Sequence, residues 1–162
     1  MDYPLPGFEQ KLVEPPALDA AIQRLPRPLV FTNGVFDILH RGHVTYLAQA
    51  RALGASLVVA LNSDASVKTL VKGKDRPINT LQDRMALLAA LSCVDLVTWF
   101  SDHRPVDIIR RIHPDILVKG ADWEGKPIVE ADVVKGWGGE VRFIPFLHQQ
   151  STTAMLKKIR GS

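Results

Sequence analysis

Short apolar runs alternate with segments of helical spacing from residue 29 onward, and this alternation constrains the fold more than any other feature of the chain. The runs predict strands over residues 29–32, 56–61, 95–100, 115–119 and 140–145. The intervening spacing predicts helices over residues 42–53, 64–71, 80–92, 105–112 and 151–159. Strands that alternate with helices pair in parallel, and their crossover helices cover the sheet. We therefore predict an α/β fold with a parallel sheet and helices on both faces.

The first 28 residues follow a different pattern. Six prolines punctuate them, and a short helix fits between these prolines over residues 17–25. We interpret residues 1–28 as an N-terminal extension that packs on the domain formed by residues 29–162. With 46% hydrophobic residues, the chain has enough apolar material for one core.

Charge and cysteine content exclude several classes of protein. Lys+Arg 20 against Asp+Glu 17 leaves a net charge of +3, so we expect no nucleic-acid partner. The uncharged, apolar run of residues 52–63 is too short to span a bilayer, and the first residues lack the order of a signal peptide. We therefore expect a cytoplasmic protein without membrane insertion. Cys93 lies in an apolar stretch and is expected to be a buried, inert thiol, and no Cys and His spacing indicates a metal site.

Polar residues follow several predicted strands, where an open parallel sheet binds its ligands. The connection after the first strand lacks G-x-G-x-x-G and the P-loop pattern, which disfavours both of those nucleotide sites. It carries His40, Gly42 and His43 at the start of a helix, whose unpaired N–H groups suit a phosphate. Gly42 is expected to remove a side chain where a phosphate approaches the backbone. Both imidazoles can donate hydrogen bonds to phosphoryl oxygens.

Residues 33–43, taken together with Ser151, Thr152 and Thr153, resemble the signature pair of the HxGH nucleotidyltransferase superfamily. The resemblance extends over residues 31–160 and implies a Rossmann-like fold. One branch, the D-glycero-D-manno-heptose 1-phosphate adenylyltransferases of lipopolysaccharide core synthesis, is matched in the segments 33–40, 62–64, 76–79, 83–85, 117–120 and 138–141. In many bacteria this activity is the C-terminal half of a bifunctional protein with a sugar kinase, and the chain resembles the stand-alone form.

The resemblance implies that heptose 1-phosphate and ATP give ADP-heptose and pyrophosphate, with Mg²⁺ bound through the ATP phosphates. It implies catalytic roles for His40, His43, Lys72 and Arg84. It implies nucleotide contacts, besides the two histidines, from Thr32, Asn33, Gly34, Phe36, Gly42, Lys119, Asp122, Ser151, Thr152 and Thr153. It implies contacts to the sugar phosphate from Asp37, Asn62, Asp64 and Arg76.

Two other functions fit the same motifs. A cytidylyltransferase for glycerol 3-phosphate or a related alcohol phosphate shares the signature, although such enzymes tend to have an arginine near position 92, where this chain has Ser92. A nucleotide-binding module without turnover would share the fold. Relatives commonly form dimers or higher assemblies, so a homo-oligomer is expected.

Overall fold

A computed structural model describes residues 3–70, 75–148 and 150–161, and its strands form one parallel sheet. The strands are β1 (Leu29–Gly34), β2 (Ser56–Asn62), β3 (Leu96–Phe100), β4 (Ile116–Gly120) and β5 (Glu140–Ile144). Every neighbouring pair is parallel. The predicted α/β parallel sheet is confirmed, and each strand lies within two residues of its predicted bounds.

The helices follow the predicted order with one addition, α6. They are α1 (Leu18–Ile22), α2 (Arg41–Arg51), α3 (Asp64–Thr69), α4 (Leu81–Ala89), α5 (Val106–Ile112), α6 (Val129–Lys135) and α7 (Thr152–Arg160). Three of them begin behind a hydroxyl side chain that accepts a hydrogen bond from a backbone N–H of the first turn, namely Ser63, Thr80 and Ser151. Local capping thus fixes where α3, α4 and α7 start.

Apolar side chains cover both faces of the sheet. On the first face, Val30 and Val118 pack with residues of α2 and α4, such as Leu47 and Leu88. On the second face, Phe31 packs with residues of α1, α5 and α6. Because successive strand residues point to opposite faces, β1, β2 and β4 contribute to both cores. The prediction of helices on both faces is confirmed.

The strand order β3-β2-β1-β4-β5 places a switch point between β1 and β4. The chain first runs outward from β1 to β3 and then returns across the sheet to form β4 beside β1. The connections that follow β1 and β4 run toward opposite edges of the sheet, and a crevice opens between them beyond the carboxyl ends of the strands. The fold therefore predicts a ligand site at that crevice.

The N-terminal segment lies along β3, at one edge of the sheet. Leu12 forms a parallel bridge with Val97, and the Val13 N–H donates to the Val97 carbonyl at 2.9 Å. Trp99 Nε1 donates to the Glu14 carboxylate at 2.8 Å. The segment thereby pairs part of a strand edge that would otherwise be open.

Two sequence expectations concern single features of the chain. In the described ranges, no helix combines the length and the apolar character needed to cross a membrane. Cys93 is half-buried rather than fully buried, and burial raises the pKa of its thiol.

Candidate active site

A cleft of about 1050 Å³ lies beyond the carboxyl ends of the strands, at the switch point. Predicted site residues from β1 and the following loop line it: Asn33, Gly34, Phe36, Asp37, His40 and His43. Others come from the later connections: Asn62, Arg76, Lys119 and Asp122. The start of α7 adds Ser151, Thr152 and Thr153. The fold thus brings together groups that are far apart in the sequence.

The two signature histidines form one stacked pair. Their ring centroids are 3.7 Å apart with an interplanar angle of 22°, and Phe36 meets the His43 ring edge-on at 5.1 Å. Burial lowers the pKa of His40, and its buried Nδ1 has no hydrogen-bond partner in the described part of the chain. Burial therefore favours the neutral form of the His40 imidazole.

Gly42 packs closely against the His40 imidazole. A Cβ at this position would lie 3.0 Å from two atoms of the His40 ring and 3.2 Å from the His148 carbonyl oxygen. The space above Gly42 is therefore filled by His40 and by the chain leading to α7. The missing side chain makes room for the His40 imidazole, and Gly42 does not line the cleft, so the approach of a phosphate at Gly42 stays a prediction.

A strained turn precedes the histidine pair. Phe36 has a φ of 47°, in the left-handed region that residues other than glycine rarely adopt. A Cβ on Gly34 would lie 2.9 Å from the Phe36 ring, so the ring can fold back only over a glycine. Such backbone conformations persist where the surroundings enforce them, commonly at functional sites. The turn places Phe36 against His43.

The start of α7 contributes a further part of the cleft wall. Ser151 caps the helix by accepting a hydrogen bond from the Ala154 N–H at 3.1 Å. Thr152 is buried and Thr153 is exposed, and both line the cleft together with the histidines. The first N–H groups of a helix have no partners within it, and its N-terminus favours an anion. Ser151 therefore combines a capping role with a place on the cleft wall.

The carboxylate of Asp37 is engaged in hydrogen bonds within the protein. Its carboxylate accepts from Arg76 Nε at 2.5 Å and from the backbone N–H groups of Ile78 and Asn79, each at 2.9 Å. The side chain is fully buried and Arg76 is nearly so. The predicted contact of Asp37 with the sugar is replaced by a structural one, because these donors already occupy its oxygens. Asp37 fixes the cleft-lining Arg76 against the histidine loop.

Arg84 lies outside the cleft, contrary to its predicted catalytic role. Its guanidinium is fully buried and donates to the carbonyls of Val35 at 2.8 Å and Asn62 at 2.9 Å. It also forms an ion pair with Asp64 at 2.7 Å. Arg84 is therefore corrected from a phosphate ligand to an anchor between α4 and the ends of β1 and β2. Asp64, predicted to bind the sugar, is its partner and does not line the cleft.

Thr32 is likewise an interior residue and not a nucleotide contact. Its hydroxyl donates to the Val118 carbonyl at 3.1 Å and lies 2.8 Å from the Tyr46 hydroxyl. Tyr46 lines the cleft and stacks on Phe146 with centroids 5.5 Å apart. Burial raises the pKa of Tyr46, so its hydroxyl stays protonated. Thr32 thus supports an aromatic wall of the cleft.

Lys119 occupies the crevice between β1 and β4. Its Nζ donates to Asn33 Oδ1 at 2.6 Å. Burial lowers the pKa of Lys119, and the charge of Glu130 acts in the opposite direction. Lys72 lies outside the described residues.

Sequence reasoning missed several cleft residues, including Tyr46, His103, Arg104, Glu130 and Phe146. The pattern gave no signal for them: Tyr46 has the spacing of a core residue, and Glu130 lies in a segment without a predicted element. His103 also lies on the cleft wall.

This combination of a parallel sheet, a paired-histidine helix start and a distant Ser-Thr-Thr helix start defines a nucleotidyltransferase. The sequence profile of the cytidylyltransferase-like family matches residues 31–159. The chain therefore belongs to the cytidylyltransferase-like family, within the branch of the heptose 1-phosphate adenylyltransferases, as its relatives show.

One such relative is the D-beta-D-heptose 1-phosphate adenylyltransferase of Bordetella bronchiseptica, 58% identical over 155 residues, which are 94% of this chain and 96% of that protein. The bifunctional protein HldE of Hahella chejuensis is 57% identical over 82% of this chain, but the match spans only 28% of that protein. Among solved structures, the lipopolysaccharide core biosynthesis protein of Thermoplasma volcanium superposes with a TM-score of 0.62 at 28% identity, covering 75% of this chain and 98% of that one. The predicted family resemblance is confirmed.

Proposed function

We propose that this protein transfers the adenylyl group of ATP to D-glycero-D-manno-heptose 1-phosphate, giving ADP-heptose for lipopolysaccharide inner-core synthesis. The observation that carries the proposal is the convergence of His40, His43 and the start of α7 on one cleft. The 58% sequence identity to the Bordetella adenylyltransferase, over nearly the full length of both chains, supports ATP as the nucleotide and heptose 1-phosphate as the acceptor. The cleft volume is large enough for a nucleotide and a second small substrate.

The proposed step is a direct displacement at phosphorus. An oxygen of the sugar phosphate forms a bond to the α-phosphorus of ATP, and the bond from that phosphorus to the bridging oxygen of pyrophosphate breaks. The leaving oxygen takes the electron pair, and no covalent enzyme intermediate is required. Catalysis then rests on positioning and on stabilising the charge that builds up on the phosphoryl oxygens.

Each wall of the cleft has a part in this proposal. His40 and His43 donate hydrogen bonds to the reacting phosphate, and the N–H and hydroxyl groups at the start of α7 hold the β- and γ-phosphates. Arg76, fixed by Asp37, supplies a nearby positive charge. Asn33, Gly34, Phe36, Lys119 and Asp122 contact the nucleotide, and Asn62 contacts the sugar phosphate.

Mg²⁺ would enter this site bound to the phosphates of ATP. Among residues 3–70, 75–148 and 150–161, no group of three or more His, Cys, Asp or Glu side chains is arranged to hold a metal ion. Asp122 is an exposed carboxylate on the cleft wall and is the side chain that would complete the coordination. Bound Mg²⁺ would neutralise phosphate charge, with few ligands from the protein.

The cellular setting follows from the substrates. ATP and a sugar 1-phosphate are cytoplasmic metabolites, so we place the enzyme in the cytoplasm. We further propose a homo-oligomer.

A pyrophosphate-release assay tests the function and its alternatives. Purified protein is incubated with ATP or CTP, each against a panel of sugar 1-phosphates and glycerol 3-phosphate. We expect release only with ATP and heptose 1-phosphate. Release with CTP and glycerol 3-phosphate would establish the cytidylyltransferase instead, and ATP binding without release from any acceptor would establish a binding module.

His43→Ala tests the catalytic assignment. The substitution is expected to lower kcat by about 10²–10⁴-fold while the fold survives, because it removes a donor to the transition state. His113→Asn is the matched control, since His113 caps α5 at the amino end of β4 in a left-handed conformation that Asn tolerates. Full turnover in His43→Ala would refute the assignment.

A further inference from the structure

Glu130 is a buried carboxylate on the cleft wall that the proposed reaction does not use. It lies in the first turn of α6, is 7% exposed, and lines the cleft. Within residues 3–70, 75–148 and 150–161 it forms no hydrogen bond or ion pair. Buried charged groups are normally paired or hydrogen-bonded, because burial without a partner is unfavourable. The carboxylate borders the cleft, so a ligand bound there can donate hydrogen bonds to it.

The surroundings of Glu130 differ from those of the histidines. Leu117 and Phe31 face the second core, so Lys119 and Asn33, two residues further along the same strands, project to that same side. Glu130 acts electrostatically on Lys119, whose Nζ bonds Asn33. The α6 side of the cleft thus combines a carboxylate, an ammonium and an amide, whereas the α2 side carries the stacked imidazoles.

The position of Glu130 at a helix start does not by itself explain its burial. A carboxylate in the first turn stabilises the helix dipole from an exposed position. Asp132 lies in the same turn and is exposed, so it meets that requirement without facing the cleft. Glu130 instead lines the cleft, as do its chain neighbours Pro127 and Ile128.

We propose that Glu130 binds a pair of adjacent hydroxyl groups of a substrate. This inference rests on the proposed function and adds a recognition site to it. A carboxylate offers two acceptor oxygens and repels phosphate, which leaves the hydroxyl groups of both substrates and the adenine amino group as its partners. A hydroxyl oxygen can at the same time accept from the Lys119 ammonium, which the amino nitrogen of adenine cannot do, so hydroxyl groups match this side of the cleft better. Lys119 and Asn33, which are hydrogen-bonded to each other, line the same cleft as Glu130 and would supply donors to a ligand there. The diol belongs either to the ribose of the nucleotide or to the acceptor sugar.

Substrate analogues distinguish the two sources. Glu130→Gln keeps the shape of the side chain and removes its charge, and Glu130→Ala removes both oxygens. For each variant and for the wild type, ATP, 2′-deoxy-ATP and 3′-deoxy-ATP are compared as ligands by calorimetry, and KM for heptose 1-phosphate is measured at saturating ATP. Asp132→Asn is the matched control, because it removes a carboxylate from the same turn of α6 without touching the cleft.

A ribose contact predicts that Glu130→Ala weakens ATP binding by about 10- to 100-fold and abolishes the preference for ATP over its deoxy analogues. A sugar contact predicts a KM for heptose 1-phosphate raised by about the same factor, with kcat and the preference for ATP retained. Asp132→Asn is expected to change neither quantity.

Unchanged ATP binding together with an unchanged KM for heptose 1-phosphate would overturn the proposal. An equal loss of affinity for ATP and for both deoxy analogues would also overturn it, since the contact would then lie elsewhere on the nucleotide. Calorimetry does not depend on turnover. A wild type that binds ATP but forms no ADP-heptose would therefore count against the proposed function and leave the ribose test readable.

Discussion

Gly42 links the spacing of the histidine motif to the geometry of the cleft. The residue lies between His40 and His43, and the His40 ring occupies the volume that a side chain would need. A glycine near a phosphate commonly serves to let the phosphate approach the backbone. At this position the requirement comes from the protein's own imidazole.

Gly42→Ala is therefore expected to act on catalysis more than on stability. Its methyl group would displace the His40 ring, and we expect kcat to fall at least about tenfold, since small misplacements of catalytic groups have large effects on rate. Steady-state kinetics and urea unfolding measure the two effects. Gly7→Ala is the control, because a Cβ there meets nothing within 4 Å. A variant with the wild-type kcat would show that the space above Gly42 is not needed.

His40 is expected to change its charge when the triphosphate binds. Burial holds its pKa below the ordinary value of 6.5, so the free protein carries a neutral imidazole at pH 7. An anion in contact with the ring favours the charged form, so binding should raise this pKa. NMR titration of the imidazole with and without a non-hydrolysable ATP analogue measures the shift. A pKa that stays the same or falls on binding would mean that His40 does not contact the phosphates.

At the scale of elements, the buried guanidinium of Arg84 joins α4 to two strand ends. It donates to backbone carbonyls that follow β1 and that end β2, and to the Asn79 carbonyl at 3.1 Å before α4. Val35 and Asn62 line the cleft, so the position of the histidine loop depends on this buried interaction.

Arg84→Met is expected to destabilise the fold by roughly 2–4 kcal/mol, because it leaves buried carbonyls without donors and Asp64 without its partner. Urea unfolding provides the measurement. Arg110→Met, which breaks an exposed pair with Asp107, should change the free energy of unfolding by less than about 0.5 kcal/mol. An unfolding free energy that is unchanged in Arg84→Met, accompanied by a large loss of kcat, would restore a direct catalytic role.

At the scale of the whole molecule, the elements were largely predictable and their arrangement was not. The apolar run of β2 is buried along its length, so its pattern marks a strand clearly. The order of strands depends on pairings between distant segments, such as Val30 with Ile116, which no local pattern encodes. α6 was missed because Ala131 and Val134 are its only buried apolar residues, too few for a periodic signal.

The candidate site was predictable to the same extent. The rule that ligands bind at the carboxyl ends of parallel strands placed His40, His43 and the α7 start at one edge before their contacts were known. The roles of individual charged residues were not predictable, because burial decides them. Arg84 and Asp37 look like substrate ligands in the sequence, and both are engaged within the protein. Glu130, by contrast, has no role that the sequence predicts, and only the fold shows that it lines the cleft.

A crystal structure with a non-hydrolysable ATP analogue and Mg²⁺ tests directly whether the two histidines and the start of α7 bind the same triphosphate. We expect the His40 and His43 imidazoles on one side, and the N–H or hydroxyl groups of Thr152 and Thr153 on the other, to lie within about 3.2 Å of oxygens of the same triphosphate. A triphosphate bound away from the imidazoles, or one that contacts only one of these two walls, would contradict the account.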